Sequence, residues 1–144
     1  MSKIMEPEGT LVPWLGLLMA HPGLTVGTSV EHHSLYRYQL ANTRAVFMGQ
    51  IQSETAYHQP NPDASLSFAP NAEPLGPQFS SSCNNATGQC SGWGLRILDS
   101  QDIGVYGAGL YSFFSNHNNL CSFPNQEDCQ KGILSIEGGQ TRHL

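Results

Sequence analysis

Two stretches of the chain repeat one strand–turn–strand pattern, and this repetition limits the possible folds. Residues 34–54 and 93–114 both alternate apolar and polar positions around a polar turn. The stretches are aligned by pairing Leu40 with Leu98, Asn42 with Ser100, Phe47 with Val105, and Gly49 with Gly107. A shorter run, GILSIEGG, follows them. Such repeats predict an all-β, right-handed parallel β-helix of few coils. Two unrelated hairpins in a β-sandwich are the alternative.

The segment between the repeats has a different composition. Residues 60–92 contain five of the nine prolines, which a sheet does not accommodate in its interior. We therefore expect a long excursion loop that forms a wall near Glu54 and Tyr57. No long apolar period of 3.6 residues occurs, and little helix is predicted.

The bulk composition excludes one class of function. The 144 residues suffice for one domain with a modest core. Only 12% of them are charged and the formal net charge is −5, without a run of Lys or Arg. A nucleic-acid-binding protein needs a basic face, so we predict no nucleic-acid partner.

Four cysteines form two close pairs, Cys83/Cys90 and Cys121/Cys129. Three connectivities are possible, and four reduced thiols are a further alternative. The spacings are longer than the C-x₂₋₄-C pattern of zinc sites. We expect two local disulfides in an oxidising compartment, and an N-glycosylation acceptor at Asn85 agrees with a secreted surface loop.

Two carboxylates lie about one coil apart in the predicted β-helix. Glu31 and Glu54 are separated by 23 residues, which brings them to neighbouring coils. Glycoside hydrolysis requires paired carboxyl groups. One donates a proton to the leaving oxygen, and the other activates water or acts as the nucleophile. Tyr57 is placed to stack on a sugar ring, and Gln52 and Gln59 offer amide hydrogen bonds. The alternative is that both glutamates are ordinary surface acids.

Other candidate features receive a structural interpretation. His32 and His33 point to opposite faces of a strand, so together with His58 they do not favour a metal site. We predict no metal and no cofactor. The aromatic residues of the second repeat are expected to stack in the core. They are Trp93, Tyr106, Tyr111, Phe113 and Phe114.

The stretches VEHHSLYRYQLANTRAVFMGQIQSETAYHQPNP and GWGLRILDSQDIGVYGAGLYSFFSN carry a family resemblance. They resemble the second β-helix domain of fungal exo-β-1,3-glucanases, family 55 of the glycoside hydrolases, within the pectate-lyase-like superfamily. The resemblance extends from about Leu24 to Gly138. The pattern departs from the family at Ala56 and His58, where Pro and Tyr are usual.

The resemblance implies inverting removal of glucose from β-1,3-glucan of the laminarin type, without a metal. It places the general acid on Glu54, the water-positioning glutamate on Glu31 and a sugar-stacking ring on Tyr57. It also implies an extracellular protein without a membrane partner, and an additional N-terminal β-helix domain that completes the site. We therefore expect this chain alone to be inactive or weakly active.

The resemblance divides the chain into an unmatched segment, 1–23, and a partial C-terminal β-helix domain, 24–144, with its loop at 60–92. The apolar stretch LVPWLGLLMA within 1–23 lacks a clean cleavage site, so a cap over the first coil or a disordered segment is expected. A non-catalytic β-glucan-binding protein is the alternative function. A polysaccharide lyase is disfavoured, because no acidic cluster lies beside an Arg or Lys.

Overall fold

A computed structural model describes residues 15–19, 21–31, 33–59, 61, 63–68, 79, 83, 90–126, 129–130 and 132–138. Only the main chain is described at 15–19. The strands are β1 (Leu15–Met19), β2 (Gly23–Val26), β3 (Ser29–Val30), β4 (Tyr36–Ala41), β5 (Arg44–Ser53), β6 (Trp93–Leu98), β7 (Gln101–Leu110) and β8 (Leu134–Glu137). The described helices are α1 (Ala64–Ser67) and a 3₁₀ turn, Leu120–Ser122. The prediction of an all-β chain with little helix is confirmed for the described residues.

The strands form two small sheets in which every strand pairing is parallel. The first sheet has the order β1-β4-β6-β8. In the second sheet β5 pairs with β2 and β3 on one side and with β7 on the other. We define a repeat as one strand of the first sheet and the strand of the second sheet that follows it. β8 belongs to GILSIEGG and lies beside β6, as the third run of the sequence predicts.

The predicted alignment of the two long repeats is wrong by one residue. Leu40 pairs with Ile97 and Phe47 pairs with Gly104, rather than with Leu98 and Val105. The backbone conformation explains the true register, because left-handed residues lie at matching positions in both repeats. The matching pairs are Asn42/Asp99, Ala45/Asp102 and Gln50/Gly107. The chain bends at these points, and they set the pairing.

The turns between the two sheets stack directly on one another. The N–H of Asn42 donates to the carbonyl of Leu98 over 3.0 Å, and the N–H of Gln101 donates to the carbonyl of Thr43 over 3.0 Å. The bent backbone thereby keeps its hydrogen bonds from one repeat to the next.

The apolar core lies between the inner faces of the two sheets. One buried cluster contains Val30, Tyr38, Leu40, Val46, Met48, Ile51, Leu95 and Ile97. Strand β5 alternates around it, since Val46, Met48 and Ile51 are buried whereas Phe47 and Gln52 are exposed. The outer face of β5 is therefore the face on which side chains meet solvent.

A second cluster joins the inserted segment to the first sheet. Phe79 stacks on Trp93 with ring centroids 5.8 Å apart, and the N–H of Ala64 donates to the carbonyl of Cys90 over 2.9 Å. Phe68 contacts the His58 ring at 5.0 Å. The described part of the insertion thus packs on Trp93 and on His58. His58 is the residue that follows Tyr57 in the sequence.

Candidate active site

Glu31 and Glu54 lie side by side at the ends of neighbouring strands. Val30, which precedes Glu31, pairs with Ser53, which precedes Glu54. After the two glutamates, the N–H of Tyr57 donates to the carbonyl of His33 over 3.3 Å. Neighbouring strands are about 4.8 Å apart, so the two backbones carry the carboxylates on adjacent rows. Both residues are partly exposed. The hydroxyl of Ser29 donates to Glu31 Oε1 over 2.6 Å.

Tyr111 extends this row on the third strand. The N–H of Tyr111 donates to the carbonyl of Ser53 over 3.2 Å, which places Tyr111 next to Glu54. Its ring lies over Gly109, where a Cβ atom would be 3.0 Å from Tyr111 Cε2. The sequence-based assignment of the second-repeat aromatics to the core is wrong for Tyr111, Tyr106 and Phe113, with exposed fractions of 55%, 74% and 44%. Trp93 is fully buried, as predicted.

The buried Arg37 supports the site from below, and sequence reasoning missed it. Its Nε donates to the carbonyl of Glu54 over 3.2 Å, while Nη1 and Nη2 donate to the carbonyls of His33 and Thr55. Its guanidinium carbon also lies 5.8 Å from the centre of the Tyr57 ring, within cation–π range. One cation therefore fixes the backbone of both carboxylate-bearing segments.

Burial lowers the pKa of Arg37 to about 10, whereas Tyr57, Glu54 and Glu31 act in the opposite direction. Arg37 stays charged at neutral pH, and its charge attracts the Glu54 and Glu31 carboxylates. The sequence signal for this role is an Arg inside a strand, β4, whose other residues are apolar or aromatic except for Gln39.

Tyr57 is 44% exposed and borders a cleft of about 880 Å³. Segment 113–120 forms the opposite side of this cleft. It is held beside Glu54 because the N–H of Phe113 donates to Thr55 Oγ1 over 2.8 Å. The cleft is lined by Tyr57, Phe113, Phe114, His117, Asn118, Asn119 and Leu120.

The remaining predicted site residues fall into different environments. Gln52 is exposed on the outer face, where it pairs with Ser29 and with Gly109. Gln59 is fully buried, and its side-chain amide has no hydrogen-bond partner in the described part of the chain. Asn85 and His32 lie outside the described residues. Glu31, Glu54, Tyr57 and Gln52 are thus brought together, while Gln59 lies beneath the surface.

Both predicted disulfides are present. Cys83 bonds to Cys90 within the insertion, and Cys121 bonds to Cys129 directly after the cleft-lining segment. The described residues contain no group of three or more His, Cys, Asp or Glu side chains that could hold a metal ion. Within the same ranges, no helix has the length and apolar character needed to cross a membrane.

Comparisons with known proteins identify similar chains, although no family model matches. The chain is 46% identical over 112 residues to a glucan 1,3-beta-glucosidase of Cochliobolus carbonum, which covers 75% of this chain and 14% of that protein. It is 43% identical over 139 residues to a probable glucan endo-1,3-beta-glucosidase of Arthroderma benhamiae, covering 96% and 15%. A non-secreted LysM effector of Penicillium expansum is 38% identical over 124 residues, covering 84% and 7%. The chain spans about one seventh of the length of the first two relatives.

Proposed function

We propose that this chain carries the carboxylate side of the active site of a β-1,3-glucan hydrolase, built on a right-handed parallel β-helix. The observation that carries the proposal is the placement of Glu31 and Glu54 on adjacent rows of one exposed face. The exposed Tyr57 and Tyr111 rings flank them. The names of two similar proteins support β-1,3-glucan as the substrate. Membership of family 55 of the glycoside hydrolases is part of the proposal.

In this proposal Glu54 protonates the glycosidic oxygen, while Glu31 orients and deprotonates the attacking water. Inversion requires the carboxyl groups to be about 6.5–9.5 Å apart, so that water fits between Glu31 and the sugar. The hydrogen bond that Ser29 donates over 2.6 Å holds the Glu31 carboxylate in place. Tyr57 stacks on the sugar, and its ring is held in place by Arg37. Gln52 binds a hydroxyl, and the same role for Gln59 stays a prediction.

The proposed context of the protein follows from the same site. Two disulfides and a glucan substrate support an extracellular location. The carboxylates lie on an open sheet face, and we infer that a further β-helix domain of a longer protein forms the opposing wall. Residues 24–144 then form the C-terminal β-helix, with 60–92 as its excursion loop. The strand β1 lies inside 1–23 and pairs with β4, which supports a capping role for that segment.

Glucose release from laminarin by a longer protein, in which this chain is joined to the further β-helix domain, tests the assignment of the acid. We expect Glu54→Gln to lower the rate by about 10²–10⁴-fold, because general-acid catalysis contributes that much. Glu31→Gln should also lower the rate of glucose release. The glucose that the wild type releases should have the inverted anomeric configuration, which NMR measures. Asp102→Asn is the matched control, since Asp102 is an exposed acid outside the site. Wild-type activity in Glu54→Gln would contradict the proposal.

A second candidate function is β-glucan binding without hydrolysis. One protein similar to this chain is named as a LysM effector rather than as a glucosidase, and this supports the second candidate function. Laminarin binding that is lost in Tyr57→Ala, without any glucose release by a longer protein that contains both this chain and the further domain, would identify this function.

A further inference from the structure

A smaller pocket lies at the turns between the two sheets, far from the candidate carboxylates. Thr43 precedes β5 and Glu54 follows it, so about 30 Å of strand separates the pocket from the acids. We propose that this pocket binds one glycosyl unit of a neutral polysaccharide, at a site separate from hydrolysis. Its volume is about 380 Å³, within the range of small-ligand sites. It is lined by Pro22, Asn42, Thr43, Arg44, Asp99 and Gln101.

The pocket forms because the turn of the first repeat is shorter than that of the second. Met19 is opposite Leu40, and Gly23 is opposite Val46. Three residues connect Met19 to Gly23, whereas five connect Leu40 to Val46. Because β2 begins only opposite Val46, it does not extend beside the first residues of β5. A concave surface next to Thr43 is the result.

The pocket contains a buried hydroxyl group without a protein partner. Thr43 is 5% exposed, and its Oγ1 atom has no hydrogen-bond partner in the part of the chain that the structure describes. The main chain of Thr43 is fixed, because its N–H donates to Ser100 Oγ over 3.3 Å and its carbonyl accepts the N–H of Gln101 over 3.0 Å. A buried polar group without a partner costs about 1–3 kcal/mol, which an occupant with hydrogen-bonding groups offsets.

The charges of the lining favour a neutral ligand. Arg44 and Asp99 are both exposed and bring one positive and one negative charge to the pocket. Arg44 disfavours a metal cation and Asp99 disfavours a phosphate or carboxylate group, because like charges repel. Asn42 and Gln101 add side-chain amides, which both donate and accept hydrogen bonds. The hydroxyl groups of a sugar unit also donate and accept, and they match this set without carrying charge.

The backbone sets the positions of two lining side chains before a ligand arrives. Asn42 and Asp99 occupy matching positions in neighbouring repeats, with φ values of 51° and 43°. The N–H of Asn42 donates to the carbonyl of Leu98, and that of Asp99 to the carbonyl of Glu137, each over 3.0 Å. The Asp99 carboxylate also lies against Gly138, where a Cβ atom would overlap Oδ1. A preformed site loses less entropy on binding.

Amide NMR spectra of the ¹⁵N-labelled full chain, titrated with a β-1,3-linked glucose trimer, test the proposal. We expect the signals of Thr43, Arg44 and Gln101 to shift together. Asp99→Asn keeps the shape of the side chain and tolerates the left-handed conformation, but it removes the charged acceptor, so affinity should fall about tenfold. Asp102→Asn is the matched control, since Asp102 is an exposed acid with positive φ outside the pocket.

A β-1,4-linked glucose trimer, calcium chloride and inorganic phosphate are titrated in the same way. Pocket signals that shift with a trimer, more weakly in Asp99→Asn but unchanged in Asp102→Asn, support the site, and the two trimers identify the linkage that it accepts. Equal affinity in the two variants overturns the assignment, as does a response to calcium or phosphate alone. If neither trimer shifts the pocket signals, the inference fails, whereas shifts confined to the surroundings of Glu54 and Tyr57 leave the proposed function standing.

Discussion

Arg37 donates a hydrogen bond from its Nε atom to the main-chain carbonyl of Glu54 over 3.2 Å, from a position that solvent does not reach. The same guanidinium group bonds the carbonyls of His33 and Thr55. A buried charge that satisfies three carbonyls costs little while its partners are present. It therefore joins two neighbouring repeats at the point where the candidate carboxylates emerge.

Removal of this cation should destabilise the chain strongly. Arg37→Met leaves three main-chain carbonyls without their donor, and we expect the free energy of unfolding to fall by about 3 kcal/mol. Arg37→Lys retains the charge but not the forked geometry, so its cost should be smaller. Urea denaturation measures both. Arg44→Met is the control, because Arg44 is exposed and should change stability by less than about 0.5 kcal/mol. Equal effects in Arg37→Met and the control would contradict the role of Arg37.

His58 should make stability depend on pH near neutrality. Burial lowers the pKa of His58, although its hydrogen bond to the Ser34 carbonyl and the nearby Asp63 oppose this. The folded state therefore binds the proton less readily than the unfolded state. Stability is complete above the ordinary histidine value of about 6.5 and falls as the pH drops through it.

Thermal unfolding between pH 8 and pH 5 tests the sign of this dependence. His58→Gln should flatten the loss of stability, because the residue no longer titrates. His21→Gln, at an exposed position, should leave the wild-type slope unchanged. A wild-type stability that rises on acidification through this range would refute the assignment.

Glu137 should protect the last repeat until the pH becomes acidic. Burial alone raises the pKa of Glu137, but hydrogen bonds from Arg96 at 2.9 Å and from Ser135 at 2.6 Å outweigh it and lower the pKa. The stabilisation is thus present above the ordinary pKa of about 4.5 and is lost as the pH falls below it.

Removing this carboxylate takes the ion pair with Glu137 away from the fully buried Arg96. We expect Glu137→Gln to cost about 3 kcal/mol at pH 7 by urea denaturation. The wild type and the variant should converge in stability as the pH falls below 4. Asp102→Asn, which removes an exposed acid, serves as the comparison. A stability gap between Glu137→Gln and the wild type that stays constant down to the lowest pH would contradict this account.

Two glycines should differ in their tolerance of a methyl group. A Cβ atom on Gly92 would overlap the Leu35 carbonyl oxygen and lie 2.9 Å from Ala56 Cβ. Gly92→Ala should therefore cost about 2–3 kcal/mol through overpacking. Gly27 has open space and a φ of +66°, so Gly27→Ala should cost only about 1 kcal/mol of backbone strain. Denaturation of both variants compares contact with strain, and a larger loss for Gly27→Ala would reverse the interpretation.

The local features of the chain were predictable from its sequence. Short alternating strands with polar turns gave the all-β class, and the close cysteine pairs gave two local disulfides. The spacing of Glu31 and Glu54 indicated neighbouring repeats, which the pairing of Val30 with Ser53 bears out. Each of these predictions depends on residues that are near in sequence or separated by one regular repeat.

Tertiary structure decided the register of the repeats, because several alignments of short apolar runs match almost equally well. The apolar pattern accepted Leu40 opposite Leu98, whereas the left-handed conformations of Asn42 and Asp99 select Ile97. A shift of one residue moves side chains to the opposite face, so this choice determines which residues reach the site.

Contacts between residues that are far apart in the chain also decided which aromatic and charged residues belong to the site. Tyr111 directly follows β7, which pairs with β5 on one side, and its ring lies over Gly109 on the surface. The alternating apolar sequence around Tyr111 is nevertheless typical of a core strand. Arg37 is buried because the carbonyls of Glu54 and Thr55, which are far from it in sequence, converge on it together with that of His33. The sequence alone predicted the strands β4 to β8, the two disulfides and the neighbouring positions of the two acids. Only the fold could assign Arg37 and Tyr111 to them, since burial and hydrogen bonding depend on neighbours that the chain brings together from other repeats.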